Sequence, residues 1–300
     1  MALLERSINS DTFMDAVSLR VGDLEGMTTY YSSILSVEPM EEKVHGKEVH
    51  RVLGRNGTPL LRLISTPGLP AVDSRQAGLY HTAFLFDSQA SLAATVYRAA
   101  QEPRSRFVGS SDHLVSEAFY FTDPEGNGIE LYVDRARSAW KYAENGDVRM
   151  DTIYLDPNQY LQTHLNESIL NSTAILPASI GHVHLQVGDI EQARDFYVGK
   201  IGFDATTSIP SALFASAGGY HHHVAMNTWN SAGAGPRAAT LGLADVAVIV
   251  PAREDLDMLV ERLKGQDFSD NGTSVTTRDP WGTHLTISLP GVSTEELLNR

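Results

Sequence analysis

The chain has 300 residues, no cysteine and a formal net charge of −14 at pH 7. A chain of this length can form two domains with separate cores, and 42% hydrophobic against 20% charged residues is typical of a soluble globular protein. The lack of cysteine excludes disulfides, thiolate zinc sites and iron–sulfur clusters, and the acidic charge argues against nucleic acid or an anionic membrane as partner.

The beginning of the chain, MALLERSINSDTFMD, has no basic region followed by an apolar core. We therefore expect no secretory signal. No stretch approaches the roughly 18 apolar residues that a membrane span needs. We expect a cytoplasmic protein, in which 11 histidines are the main groups that can bind a metal or titrate near neutral pH.

An internal repeat organises the chain. Residues 17–39 match residues 183–205 almost element by element. Each segment begins with the alternating apolar residues of a half-buried strand. A Gly-Asp turn follows, in which Asp23 or Asp189 is placed to cap a short helix.

A second pair of segments repeats in the same way. Residues 79–100 and 243–263 each predict a strand followed by a helix. They lead into residues 120–133 and 275–289, where an Asp-Pro-x-Gly turn joins two strands.

These repeats predict an α+β fold of four βαβββ modules, two in each of two domains. The modules are at about 15–67, 79–134, 180–229 and 243–290. The domains are an N-terminal domain at 1–135, a linker at 136–178 and a C-terminal domain at 179–300. The linker is polar, with one short helix predicted after Asp156-Pro157.

Three stretches carry a resemblance to a known family: GHVHLQVGDIEQARDFY, SAGGYHHHVAMN and DPEGNGIELY. They resemble the vicinal oxygen chelate superfamily, which covers glyoxalase I, bleomycin-resistance proteins and extradiol ring-cleaving dioxygenases. The resemblance spans nearly the whole chain and is closest to bacterial two-domain catechol 2,3-dioxygenases. It implies open β-barrels that enclose a metal site, with the helices outside.

Strand alternation indicates which side chains face that site. In residues 181–187, His182 and His184 share a polar face, whereas the valine and leucine side chains share the other face. In the same way, Glu130 lies on an inward face between apolar neighbours. A carboxylate is costly there unless it is paired or bound to a metal.

The family's ligand positions yield one complete set of two histidines and a carboxylate. The resemblance implies that this set binds non-haem Fe(II), with Mn(II) as the alternative, and leaves coordination positions open. Many extradiol enzymes take two ligands from the fourth module, so here modules 2 and 3 must pair, in one chain or across a dimer. The set is His81, Glu130 and His182, whereas the other positions hold Ala16, Asp245 and Thr286.

Residues 221–223 are three consecutive histidines, which we predict to lie within a strand. Alternation would then place His222 on the opposite face from its two neighbours, so the three could not chelate one ion. The run resembles the His-His-x-x-Ala stretch of extradiol enzymes, which implies that His222 is an acid–base catalyst and His221 its neighbour. The alternative, a run that only decorates a strand edge, stays open, and we expect His184 to be structural or to support the ligands.

A second cluster precedes Glu130. Tyr120 lies ten residues earlier, the separation found in extradiol enzymes, which implies a phenol that hydrogen-bonds the substrate. His113 matches the family's upstream catalytic histidine only if a two-residue gap is allowed. Tyr120 could instead simply pack in the sheet. For Arg135 and Arg137, the default interpretation is a salt bridge at the domain junction.

The resemblance implies an Fe(II)-dependent extradiol dioxygenase that inserts O₂ into a catechol-type ring and gives a muconic semialdehyde. Two alternatives stay open. One is a glyoxalase-like lyase or isomerase using Ni²⁺ or Zn²⁺, which usually needs a fourth protein ligand. The other is a metal-free ligand-binding resistance protein. The expected partners are a small aromatic diol and O₂, and a homo-oligomer is left open.

Overall fold

The structure is a computed structural model in which residues 7–170 and 176–291 are described. The outer ends of both predicted domains and part of the linker lie outside the described residues. In chain order the strands are β1 Phe13–Met14, β2 Val17–Val21, β3 Glu38–His45, β4 Glu48–Arg55, β5 Thr58–Ser65, β6 Gly78–Phe86, β7 Arg106–Asp112, β8 Ser116–Thr122, β9 Gly128–Asp134, β10 Ile153–Tyr154, β11 Ala178–Gln186, β12 Asp204–Ile209, β13 Ala212–Ser216, β14 Val224–Asn227, β15 Gly242–Ile249, β16 Phe268–Asp270, β17 Ser274–Arg278 and β18 His284–Ser288.

Each predicted module folds as a strand, a helix and three further strands, which confirms the repeat. The fifth helix continues into a π-helical turn at Tyr197–Ile201, and a short 3₁₀ turn at Arg137–Ala139 follows β9. The helices are α1 Leu24–Leu35, α2 Gln89–Gln101, α3 Pro157–His164, α4 Glu167–Leu170, α5 Ile190–Phe196 and α6 Arg253–Arg262.

The strands form two nine-stranded sheets, each built from two modules. The first sheet has the order β16-β17-β18-β15-β2-β5-β4-β3, with β1 paired to β15, and combines module 4 with module 1. The second has the order β10-β7-β8-β9-β6-β11-β14-β13-β12 and combines module 2 with module 3. Each sheet therefore takes one module from each predicted domain, while the domain boundaries themselves stay a prediction.

The modules meet in each sheet through one antiparallel strand pair, β15 with β2 and β6 with β11. Modules 2 and 3 thus pair within one chain, a point that the sequence left open. In the described part of the chain both sheets have unpaired outer edges, so neither is a closed barrel. The α+β class and the repeated module are confirmed.

The apolar strand faces and the helices form one continuous core. Val183, Leu185 and Val187 are at most 1% exposed and belong to this core, as strand alternation predicted. Phe84 and Phe86 join it from β6. Among the described helices, none is both long and apolar enough to cross a membrane.

Side-chain caps start the helices where the sequence predicts them. Asp23 accepts a hydrogen bond from the backbone N–H of Gly26 at 2.9 Å, and Asp189 caps α5 in the same way. Asp156 caps α3, which begins at Pro157 and confirms the helix predicted in the linker. The linker also supplies β10, which extends the second sheet beside β7.

A buried tyrosine in each of two helices connects the sheets. The Tyr31 hydroxyl donates to Asp123 at 2.8 Å, and the Tyr197 hydroxyl donates to Asp279 at 3.0 Å. Each acceptor begins the Asp-Pro-x-Gly turn of the following module, which lies in the other sheet. Burial and the Asp123 carboxylate raise the pKa of Tyr31 well above its ordinary value, so this hydroxyl stays protonated.

We expect Tyr31→Phe to lower the free energy of unfolding by about 2 kcal/mol, because a buried carboxylate then loses a hydrogen-bond donor. Urea unfolding measures this difference. The control is Tyr142→Phe, at a side chain 53% exposed, which should change the unfolding free energy little. Equal stability of the Tyr31→Phe variant and the parent protein would contradict the assigned role of this bond.

Candidate metal centre

The strand pair that joins modules 2 and 3 carries three histidines on one face. In the antiparallel register of β6 with β11, His182 lies opposite Ala83 and His184 lies opposite His81. The three imidazoles are 1–5% exposed, so each is buried on the polar face that alternation predicted. Backbone pairing therefore places the two predicted histidine ligands, His81 and His182, at diagonal positions on adjacent strands.

A β-bulge precedes each of these two ligands. The register skips Tyr80 just before His81 and skips Gly181 just before His182. A bulge leaves one residue unpaired, increases the local twist and re-aims the neighbouring side chains. The orientation of both imidazoles therefore depends on an irregularity of the strand that carries them.

Glycines make room for both bulges. A Cβ atom at Gly181 would lie 1.7 Å from the Tyr132 hydroxyl oxygen, and one at Gly128 would lie 2.0 Å from the Tyr80 carbonyl oxygen. Real Cβ atoms do not approach other heavy atoms so closely. A larger residue at either position would shift a neighbour of the two histidines.

Glu130 completes the predicted set. It lies on β9, which is parallel to β6, and its Cα partner is Ala83. Its Oε2 lies 2.8 Å from His81 Nε2 and 3.1 Å from His182 Nε2. Glu130 is only 3% exposed, so three ligand atoms meet in a buried place within a single chain.

The protonation states suit a set of metal ligands. Burial opposes ionisation of Glu130, but the adjacent His182 and His81 outweigh it and hold the pKa of this carboxyl well below its usual range. Burial lowers the pKa of His182 to about 4, so its imidazole is neutral at pH 7 and has a lone pair to offer. A buried carboxylate oxygen between two imidazole nitrogens favours a bound cation.

The spacing of the three ligand atoms fits a metal ion. Two ligand atoms at right angles around an ion about 2.1 Å from each lie about 3.0 Å apart. The two measured separations from Glu130 Oε2, 2.8 and 3.1 Å, bracket this value. His81 Nε2 is buried and forms no hydrogen bond despite this proximity. A metal ion would satisfy that nitrogen, so the residues present fit a divalent cation.

The first sheet repeats the strand arrangement without the ligands. A bulge at Ala244 again precedes the position of the histidine ligand, which holds Asp245. Thr286 occupies the position of the glutamate and donates to Asp245 at 2.9 Å. On the neighbouring strands β5 and β2, Arg62 donates to Ser18 at 2.9 Å. Among the described residues, both groups of three side chains that could hold a metal include His182 of the second sheet.

The second of these groups includes two residues of the histidine run. The run precedes β14 and does not lie within a strand, so the predicted alternation of faces is wrong. His221 and His222 both lie beside His182, with the His222 ring centroid 4.0 Å from that of His182. His223 is separate, because its Nδ1 accepts from the backbone N–H of Ala217 at 3.1 Å.

A hydrogen-bond chain fixes the tautomer of His222. The carboxylate of Asp134 can only accept, so His221 Nε2 carries the proton of the 2.9 Å contact between them. When His221 carries only this proton, its Nδ1 is an acceptor and takes the 2.8 Å hydrogen bond from Nδ1 of His222. The Nε2 atom of His222 is therefore the basic nitrogen. Burial and nearby imidazoles lower the pKa of His222 well below its ordinary value and keep it neutral.

Tyr120 and His113 form a hydrogen-bonded pair next to the carboxylate. Tyr120 pairs directly with Glu130 across β8 and β9, and its ring centroid lies 5.5 Å from that of His81. The Asp151 carbonyl accepts from His113 Nδ1 at 2.7 Å, which leaves His113 Nε2 as the acceptor for the Tyr120 hydroxyl at 2.6 Å in the singly protonated imidazole. Burial and the Glu130 carboxylate raise the pKa of Tyr120 well above its ordinary value, so it stays a donor.

The remaining candidates lie elsewhere. Arg135 forms ion pairs with Asp112 and Glu117 at 2.7 and 3.0 Å, so the predicted salt bridge is present and both of its partners belong to module 2. Arg137 donates to the Gly218 carbonyl at 2.9 Å and so connects the linker to module 3. Neither arginine belongs to the groups that could hold a metal.

Sequence reasoning missed three residues next to the site. Asp134 had a signal, because it continues the inward alternation of Glu130 and Tyr132 along β9. Tyr80 had none, because only the bulge turns it towards the histidines. Asn227 donates to His184 Nε2 at 2.9 Å, a contact that spans two strands and leaves no mark in the local sequence.

Comparison with known sequences matches this chain to one family. The family model described as Glyoxalase/Bleomycin resistance protein/Dioxygenase superfamily matches residues 13–131 and 179–288. Catechol-2,3-dioxygenase of Bacillus subtilis (strain 168) is 33% identical over 284 residues, which cover 91% of this chain and 96% of that protein. Biphenyl-2,3-diol 1,2-dioxygenase 2 of Rhodococcus globerulus is 27% identical over 124 residues, 39% of this chain and 60% of that protein.

Solved structures show the same fold at low sequence identity. Glyoxalase I from Zea mays superposes with a TM-score of 0.58 at 16% identity, covering 96% of this chain and 95% of that chain. A putative dioxygenase from Bacillus subtilis superposes with a TM-score of 0.60 at 13% identity, covering 95% of this chain and 86% of that chain. Both likenesses concern the fold alone.

Glu130→Gln should weaken divalent metal binding about 100-fold, because the amide removes the negative charge that favours the cation. Metal content after dialysis against a limiting metal buffer measures the loss. The matched control is Glu117→Gln, a buried acid of the same sheet that is paired with Arg135. Full metal content in Glu130→Gln would mean that the ion binds elsewhere, whereas equal loss in both variants would point to a general effect of charge.

Proposed function

The chain belongs to the Glyoxalase/Bleomycin resistance protein/Dioxygenase superfamily, and on that premise we propose that it is an Fe(II)-dependent extradiol dioxygenase, with Mn(II) as the alternative metal. Its substrates would be a catechol-type aromatic diol and O₂. The ring opens next to a hydroxyl, and both oxygen atoms of O₂ enter the product, a muconic semialdehyde. The relative named catechol-2,3-dioxygenase, 33% identical to this chain, supports the reaction class.

One observation carries the proposal: the ligand set contains two imidazoles and a single carboxylate. The Nε2 atoms of His81 and His182 both approach the same buried carboxylate oxygen, Oε2 of Glu130. Two histidines and one carboxylate leave coordination positions free on an octahedral ion, which suits a diol and O₂. When bound, the metal would act as a template and Lewis acid for these two substrates.

His222 suits the role of general base. Its Nε2 atom carries the lone pair, because the chain through His221 to Asp134 engages Nδ1. The neutral imidazole can take a proton from a diol hydroxyl and later return it to an oxygen atom of the opening ring. Its ring lies 4.0 Å from that of His182, so a diol held by the metal would lie within reach.

Tyr120 suits the role of a fixed hydrogen-bond donor or relay. Its hydroxyl proton points to His113, whose other nitrogen is held by the backbone of Asp151. A diol hydroxyl beside Tyr120 could give its proton to the phenol oxygen while the phenol proton moves to Nε2 of His113, so the pair can relay one proton away from the diol. Two acid–base units, His222 and the Tyr120–His113 pair, therefore flank the ligand set from different segments of the chain.

The alternatives from the sequence have less support. A glyoxalase-like lyase or isomerase usually needs a fourth protein ligand, typically a second carboxylate. In the described residues, the two groups that could hold a metal contain Glu130 as their only carboxylate. A metal-free binding protein has no need of a buried carboxylate between two imidazoles. The cytoplasmic location stays a prediction, and the described site needs no partner subunit.

We expect the protein, loaded anaerobically with Fe(II), to convert catechol on admission of air into a yellow product with one O₂ consumed per diol. An oxygen electrode and mass spectrometry with ¹⁸O₂ measure the stoichiometry and the incorporation of both oxygen atoms. The lyase would be supported instead if the Fe(II)-loaded protein consumed no diol and a separate sample, loaded with Ni²⁺ or Zn²⁺, converted a hemithioacetal.

His222→Asn should lower kcat about 100-fold or more while metal content is retained, because the general base is lost. Steady-state kinetics of ring cleavage and metal analysis test this together. The matched control is His223→Asn, because the adjacent histidine bonds only to backbone. Unchanged kcat in His222→Asn would remove this residue from the mechanism.

A further inference from the structure

Four aromatic rings form a continuous surface beside the ligand set. We call this surface the aromatic wall, and its members are Tyr80, His184, Phe214 and Trp229. Tyr80 and Trp229 lie 5.3 Å apart between ring centroids, and His184 lies 5.0 Å from Tyr80 and 5.4 Å from Trp229. Phe214 lies 6.0 Å from His184.

The aromatic wall contacts both a proposed metal ligand and the proposed general base. The His184 ring lies 4.9 Å from that of His81, and the Phe214 ring lies 5.1 Å from that of His222. A diol held between His81 and His222 would therefore have the wall along one side. His184 itself is no metal ligand in this arrangement, because its Nε2 accepts the hydrogen bond from Asn227.

Specific hydrogen bonds hold the aromatic wall in place. The β-bulge at Tyr80 turns this ring to the face of the histidines. The indole N–H of Trp229 donates to Ser211 Oγ at 3.2 Å, and its backbone N–H donates to Asn227 Oδ1 at 3.1 Å. Because Asn227 also donates to His184, one buried amide positions two of the four rings.

The outer end of the aromatic wall is open to solvent. Trp229 is 48% exposed and Tyr80 is partly buried, whereas His184 is only 4% exposed. The other two tryptophans, Trp140 and Trp281, are 6% and 2% exposed. A large exposed aromatic side chain fixed by hydrogen bonds beside a catalytic site indicates a binding surface for an apolar ligand group.

We propose that the aromatic wall is the specificity-determining surface for the ring substituent of the diol, and that the preferred substrate class is catechols with a flat aryl substituent. This inference rests on the proposed function. The diol ring would lie against His184 and Phe214, and the substituent would extend along Tyr80 to Trp229. Unsubstituted catechol would not reach Trp229.

The test compares two ligands on the intact metal-loaded protein without O₂. Equilibrium dialysis gives the Kd of biphenyl-2,3-diol and of catechol for the parent, Trp229→Ala and Tyr80→Ala. We expect each variant to bind biphenyl-2,3-diol about tenfold more weakly, because apolar contact with the substituent is lost. Catechol affinity should stay within about threefold, and kcat/KM in air should follow the same pattern.

Fluorescence provides a second readout, and a distant aromatic provides the control. Biphenyl-2,3-diol should quench the parent's tryptophan fluorescence, and Trp229→Phe should reduce this quenching, because Trp229 would contact the bound substituent directly. Phe13→Ala, at a side chain 52% exposed on β1, should change neither affinity. Unchanged affinity for biphenyl-2,3-diol in both wall variants, or equal loss for both ligands, would overturn the proposal.

The two proposals can fail separately. Selective weakening of biphenyl-2,3-diol binding in a protein that cleaves no ring would support the aromatic wall and contradict the dioxygenase. Ring cleavage with no selective effect in either variant would support the dioxygenase and overturn the role of the wall.

Discussion

The site depends on one electrostatic constraint, the burial of the Glu130 carboxylate between two imidazoles. A carboxylate removed from water needs compensation from hydrogen bonds or a cation. His81 and His182 approach the same oxygen at 2.8 and 3.1 Å, and the His81 nitrogen gains no hydrogen bond from that approach. The pairing of modules 2 and 3, the two bulges and the glycines that admit them all contribute to this arrangement. A bound divalent cation would make the burial of the Glu130 carboxylate favourable.

The fold contains the same pairing of two modules twice, with different side chains at the ligand positions. In each sheet, two modules meet through an antiparallel pair with a bulge before the ligand position. The second sheet carries histidines and a glutamate there. The first sheet carries Asp245 and Thr286, which bond to each other. The chemistry of a module therefore depends on a few inward positions, and the remaining strand residues preserve the core.

Much of the fold could be predicted from the sequence, because it depends on local patterns, and the family resemblance pointed to three side chains that the structure brings together, His81, Glu130 and His182. Alternation identified the inward faces that carry Glu130 and His182, and the Asp-Pro signal located α3. The pairing of modules 2 and 3 was predicted, but the sequence left open whether it occurs within one chain. Two further features could not be predicted, because they depend on long-range contacts. The bulge at Tyr80 changes the face of one side chain, and the run at 221–223 leaves strand geometry so that two of its histidines reach His182.

Anomalous diffraction from a crystal soaked in Mn(II) tests the central claim most directly, because it locates the ion without reference to activity. The account predicts one strong peak per chain, within about 2.0–2.4 Å of the Nε2 atoms of His81 and His182 and of a Glu130 oxygen. A peak held by His221 and His222 in place of Glu130, or one in the sheet of modules 1 and 4, would contradict it.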